Sequence, residues 1–145
     1  MPVIHQELIV PYTVSQMFAL VNDIRTYPEF VPYCKSTEIL SENEDEVKAT
    51  LMLAGGGFQK SFSTCNRLQK DKMIEISLLN GPFKNLEGFW RFENFENGCK
   101  VSLDLEFEFS NKLLGMAFGP VFNQVANALV DAFSKRAEAV YGRYD

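Results

Sequence analysis

The sequence predicts a single α+β domain over residues 1–145, a curved antiparallel sheet of about seven strands wrapped around a long C-terminal helix. Three observations carry this. After Cys34 the chain divides into short alternating runs separated by turn residues. From Leu113 onward the apolar repeat changes from two to a helical three or four. That closing segment is also the only one long enough to cover the apolar face that the strands would share.

The elements follow in order. From Val3 to Val10, Ile4, Leu8 and Val10 alternate with His5 and Glu7, the signature of a half-buried strand that ends at Pro11. Thr13 supplies an N-cap oxygen for a short helix whose apolar positions are Val14, Met17, Phe18 and Val21. Two prolines in Tyr27-Pro28-Glu29-Phe30-Val31-Pro32-Tyr33 leave room for one brief helical turn, so this segment is a corner. The hairpin punctuation is Glu42–Asp45, Gly55–Gly57, Lys70–Lys72, Asn80–Pro82 and Asn97-Gly98, the last expected to form a two-residue turn with positive φ at both positions. Val47, Ala49, Leu51 and Leu53, then Ile74, Ile76 and Leu78, then Leu86, Gly88, Trp90 and Phe92, then Val101 through Phe109 at every second residue, share one face of the sheet. Ser102, Asp104, Glu106, Glu108 and Ser110 are expected on its wet face. Phe118, Phe122, Val125, Leu129, Phe133, Ala137 and Val140 form the apolar stripe of the final helix, and Gly119-Pro120 is expected to set Leu113–Phe118 apart as a separate turn or a kinked extension.

Composition narrows the function. An excess of Asp and Glu (19) over Lys and Arg (14) gives a net charge of −5, against a protein built to wrap nucleic acid, and DNA is not an expected partner. The basic residues are dispersed among acids, the pattern of a solvated surface. Cys34, Cys65 and Cys99 are odd in number and contain no C-x-x-C, which fits neither a zinc knuckle nor a disulfide framework and suggests a reducing compartment. The N-terminus shows neither a secretory n-region nor a mitochondrial-type leader, and Leu113–Phe122 is about half the length of a membrane span.

Chemistry-bearing constellations are sparse. His5 is the one histidine, so no Ser-His-Asp, Cys-His or histidine metal cluster can form, and no catalytic residue or metal ligand is assigned. A carboxylate raised in pKa inside a pocket remains open, although alternation puts most carboxylates outside. Gly55-Gly56-Gly57 lacks the following helix and Lys-Ser/Thr of a phosphate loop and is read as a hairpin tip. The distinctive feature is apolar bulk: 13 Phe, 5 Tyr and 1 Trp, with Leu113–Phe122 apolar nearly all round. Such a helix start is buried on every side, lines a cavity or touches lipid. Core packing explains it as well as a cavity does, until Trp90, Phe107, Phe109, Phe30 and Val31 are added to the same end of the domain, which favours a pocket for a hydrophobic ligand.

Three ordered motifs carry a resemblance. Tyr27-Pro28-Glu29-Phe30-Val31-Pro32-Tyr33-Cys34, Leu79-Asn80-Gly81-Pro82-Phe83-Lys84-Asn85-Leu86-Glu87-Gly88-Phe89-Trp90-Arg91-Phe92, and Ala132-Phe133-Ser134-Lys135-Arg136-Ala137 through Tyr141-Gly142 resemble the family of coenzyme-Q-binding proteins and ribosome-association RatA toxins. The resemblance implies a START-like helix-grip fold around a lipophilic cavity. It implies two activities: binding an isoprenoid quinone such as ubiquinone in support of respiratory electron transfer, or association with the large ribosomal subunit that blocks subunit joining. A polyketide-cyclase-like enzyme on the same fold is a further alternative. The leading expectation is a non-catalytic binder with no cofactor beyond a bound quinone or similar lipid, cytoplasmic and peripheral at the inner membrane, touching the membrane surface transiently through Leu113–Phe122. Phe30, Val31, Trp90, Phe107, Leu114, Phe118, Val121 and Phe122 are expected to line or gate the site.

Overall fold

The computed structural model describes residues 3–55 and 57–142, with Phe58 described by its backbone alone. The elements run β1 (Val3–Val10), α1 (Val14–Asn22), a 3₁₀ turn (Ile24–Glu29), β2 (Cys34–Glu42), β3 (Glu46–Gly55), β4 (Phe58–Gln69), β5 (Met73–Asn80), β6 (Phe83–Phe95), β7 (Gly98–Phe109) and α2 (Lys112–Tyr141). All seven strands form one antiparallel sheet in the order β1-β7-β6-β5-β4-β3-β2. Strands β2 to β7 are a meander, and α1 with the 3₁₀ turn carries the chain from β1 at one edge to β2 at the other. The α+β helix-grip expected from the alternation is the fold observed.

Local chemistry fixes both helices. Thr13 caps α1 through a reciprocal pair, accepting from the Gln16 backbone N–H at 3.0 Å while the Gln16 side chain accepts from Thr13 N–H at 2.9 Å. Asn111 caps α2 by accepting from Leu114 N–H at 2.9 Å. Helix α2 is continuous through Gly119-Pro120, so Leu113–Phe118 belongs to it and is not a separate turn. Pro120 and the residue one turn before it, Met116, are both exposed, so the Met116 carbonyl deprived of its partner lies on the solvent side of the helix. By length and hydropathy α2 would cross a bilayer, but here its apolar stripe is packed on the sheet: Phe118, Phe133 and Ala137 are fully buried. Val140, expected on that stripe, is half exposed, and the stripe runs from Ala137 to Tyr141 instead, whose ring packs against Tyr12 at 6.0 Å.

Two further expectations change. The β6–β7 turn residues are Glu96 and Asn97, with positive φ at Glu96 alone, and Gly98 already pairs with Phe95. The glycine is needed for a different reason: a Cβ on Gly98 would stand 1.9 Å from the Val10 carbonyl oxygen, where the end of β1 lies beside the start of β7. Ser102, expected on the wet face, is buried, because β7 is interior to the sheet and Glu7 of β1 and Arg91 of β6 flank it. The hairpin tip expected at Gly55–Gly57 lies between β3 and β4, and its Gly56 falls outside the described residues.

Helix α2 packs most closely on β7 and β1 and stands off from β3, β4 and β5. The sheet curls past the helix on that side, and the space between them is where a site can lie.

Candidate functional site

Between α2 and the curled half of the sheet lies a hollow of about 90 Å³. It is bounded by two aromatic clusters. Toward the start of α2, Phe83, Phe107, Phe109, Phe118 and Phe122 interlock with centroid separations such as 4.7 Å for Phe107–Phe122, 4.9 Å for Phe83–Phe122 and 5.6 Å for Phe109–Phe118. Toward the other end Phe133 is met edge-on by Trp90 at 5.3 Å, Tyr27 at 5.4 Å and Phe30 at 5.1 Å. These are the spacings at which ring quadrupoles attract, so both clusters are rigid walls. Leu51, Leu53, Ile76 and Leu86 of the strands and Val125, Ala126 and Leu129 of α2 also belong to the lining. Leu51, Ile76 and Leu129 are only half-buried and mark the side where the wall is thinnest.

A strap crosses the same gap between sheet and helix. Tyr33 takes a left-handed conformation (φ 62°), its carbonyl accepts from Ala54 N–H at 2.9 Å, and its hydroxyl donates to Gln124 Oε1 on α2 at 3.0 Å. Its ring lies where a Cβ on Gly55 would be, 2.6 Å from that position, so the small residue of the tip is what lets the tyrosine lie across it. Below the strap, Arg136 of α2 pairs with Glu29 at 3.1 Å and stacks over the Phe30 ring at 5.0 Å, fastening the 3₁₀ corner to the helix.

No side chain lining the hollow carries a charge. Its polar groups are Tyr27, Thr64, Asn66 and the indole N–H of Trp90. The Tyr27 hydroxyl is engaged with the Val21 carbonyl, and burial pushes its ionisation far up. Thr64 Oγ1 donates to Asn66 Oδ1 at 3.2 Å, both residues being more than nine-tenths buried. Burial raises the thiols of Cys34 and Cys99 to about 11, which leaves them protonated and unreactive near neutral pH. Among the described residues no group of three or more His, Cys, Asp or Glu is placed to hold a metal ion.

Of the eight residues expected to line or gate the site, Val31, Trp90 and Phe122 border the hollow. Phe107 and Phe118 face the same interior but are sealed inside the first aromatic cluster with no exposed surface, because a strand or helix repeat gives the face and not the depth. Phe30 packs outward of Phe133, against Arg136. Leu114 and Val121 sit half-buried at the start of α2, while Leu113 and Met116 beside them are 78% and 73% exposed. The aromatic residues therefore converge at two ends of the domain, not one. Thr64 and Asn66 were not foreseen. The signal for them is parity: Phe62 and Leu68 point inward, so Thr64 and Asn66 between them must do the same.

A family model described as polyketide cyclase / dehydrase and lipid transport matches residues 10–134. The ribosome association toxin RatA of Vibrio cholerae is 42% identical over 140 residues, covering 96% of this chain and 97% of that protein. The mitochondrial coenzyme Q-binding protein homolog B of Xenopus laevis is 27% identical over 142 residues, covering 92% of this chain and 57% of that one. Among solved structures, a START superfamily protein from Mycobacterium smegmatis superposes with a TM-score of 0.73 at 18% identity, over 95% of this chain and 98% of that one, which is a likeness of fold.

Proposed function

We propose, from the premise that the chain belongs to the polyketide cyclase / dehydrase and lipid transport family and to the RatA group within it, that it is a non-catalytic carrier of a neutral hydrophobic ligand. The observation that carries this reading is the uncharged hollow held open between two aromatic walls. Its lining offers no nucleophile paired with a base and no carboxylate, which supports binding over turnover. We assign the ligand to the isoprenoid quinones, in keeping with the coenzyme Q-binding relative.

At about 90 Å³ the hollow is well below the roughly 300–1,000 Å³ of drug-sized ligand sites. A quinone therefore enters ring first, with its tail leaving past Leu51, Ile76 and Leu129, and the wall moves outward there as it loads. The exposed Leu113 and Met116 give a cytoplasmic protein the apolar contact with the inner membrane surface that loading needs. Organic-solvent extraction of the purified protein followed by mass spectrometry tests the reading, together with a thermal shift on adding ubiquinone. Recovery of a quinone and a raised Tm are expected; protein that is repeatedly lipid-free and unmoved in Tm contradicts it.

A second reading, association with the large ribosomal subunit, is favoured by the name of relatives at 40–42% identity along nearly the full chain. Its test is co-sedimentation in sucrose gradients at low salt, where contacts to phosphate are strongest. Absence from the large-subunit fraction there removes this reading.

A further inference from the structure

We infer that the hollow selects its ligand by one hydrogen bond, donated by the side-chain amide of Asn66 to a carbonyl-type oxygen on an otherwise apolar, uncharged molecule. The inference rests on the hydrophobic-ligand reading above and specifies the chemistry of that site.

Asn66 is 7% exposed and lines the hollow from β4. Its Oδ1 is taken by the Thr64 hydroxyl, and its Nδ2 has no hydrogen-bond partner among the described residues. Thr64 thereby orients the amide with its two N–H donors left over. Among the described residues the fully enclosed side-chain atoms left without a partner are Asn22 Oδ1 and Arg136 Nε. Asn66 Nδ2 therefore keeps accessible surface, and an acceptor arriving in the hollow meets its donors in an apolar setting, where a hydrogen bond is stronger than in water. Of the other donors in the lining, the Tyr27 hydroxyl already donates to Val21, and the Trp90 indole N–H is the competitor that Asn66→Leu leaves in place. With no cation in the lining, a carboxylate or phosphate would be buried without a counter-charge, which excludes free fatty acids and phospholipid head groups from the hollow. What fits is a ketone, quinone or ester oxygen on a ring or branched chain.

The experiment compares three five-membered-ring probes that differ in one group: cyclopentanone, methylenecyclopentane and cyclopentanecarboxylate. Binding is followed by fluorescence of Trp90, the one tryptophan of the chain, which stands in the cavity wall. The wild-type protein is expected to bind the ketone about three- to tenfold more tightly than the hydrocarbon, the range that one net hydrogen bond confers, and to show no binding of the carboxylate at neutral pH. In Asn66→Leu, which has similar bulk and no polar atom, the preference is expected to fall to about one while the hydrocarbon still binds. A second measurement needs no variant: in the wild-type protein the ketone, and not the hydrocarbon, shifts the Asn66 side-chain N–H resonances.

If both neutral probes bind equally, or Asn66→Leu keeps the preference, or the amide resonances do not move with the ketone, the anchor is wrong and the hydrophobic-ligand reading survives. Binding of the carboxylate as tightly as the ketone overturns the exclusion of charge. Failure of all three to bind removes the hydrophobic-ligand reading and this inference with it.

Discussion

Replacing Ala126 with Leu asks whether the hollow is real space. Ala126 is fully buried on α2 and lines the hollow, and leucine is a strong helix former, so the substitution adds only volume. In cores that have lost side-chain volume, destabilisation grows by about 24 cal/mol per Å³ of cavity, so a 90 Å³ hollow holds about 2 kcal/mol that filling it recovers. A chain of 145 residues shifts its Tm by roughly 2–4 °C per kcal/mol, so Ala126→Leu is expected to raise Tm by about 4–8 °C. Calorimetry measures it directly, with Trp90 fluorescence reporting whether added hydrophobe still binds. Higher stability together with lost binding is the expected outcome. A Tm lowered by an amount equivalent to about 1–3 kcal/mol, the usual cost of overpacking a filled core, refutes the reasoning.

Other outcomes follow from particular contacts. Cys34 and Cys99, with thiols held near 11 by burial, are expected to resist a disulfide reagent at pH 8 in the folded protein and to react at once in urea; labelling of the native protein at the unfolded rate contradicts this. His5 Nδ1 lies 2.5 Å from Asp104, whose hydrogen bond, then charge, raises the imidazole pKa, with Glu7 adding to it. A pKa higher folded than unfolded stabilises fully below the unfolded value and ceases to do so as pH rises through the folded value. His5→Gln is therefore expected to lower the urea midpoint at mildly acid pH and leave it unchanged at alkaline pH; an equal loss at both would show that the ion pair is not the cause. Gly98→Ala forces backbone against the Val10 carbonyl and is expected to cost about 1–3 kcal/mol in chemical denaturation, whereas a neutral result would mean that β1 does not close on the hairpin as described.

Much of the fold was legible because its elements have unambiguous periods. Val101 to Phe109 alternates without a break and lies between β1 and β6 in the sheet, and the stripe from Phe118 to Ala137 is the buried face of α2. The errors came where a residue answers to a neighbour far away in sequence. Gly98 looks like a turn glycine and is instead a contact with β1; Ser102 looks wet and is covered by flanking strands. The site was legible in kind more than in detail. Apolar bulk pointed to a pocket, but periodicity could not separate Phe122, which borders the hollow, from Phe107 and Phe118, which are locked into the wall. Thr64 and Asn66 were missed since a polar pair reads as surface until the parity of Phe62 and Leu68 fixes which way β4 faces.

The central claim is that a neutral hydrophobe occupies the space between α2 and strands β3 to β5. Its most direct measurement is a methyl-labelled NMR titration with ubiquinone bearing a short tail, reading intermolecular Overhauser contacts. Contacts are expected from the quinone ring to Leu53 and Val125 and from the tail to Leu51, Ile76 and Leu129. Contacts confined to the exposed Leu113 and Met116, or none at all at saturating ligand, would contradict it.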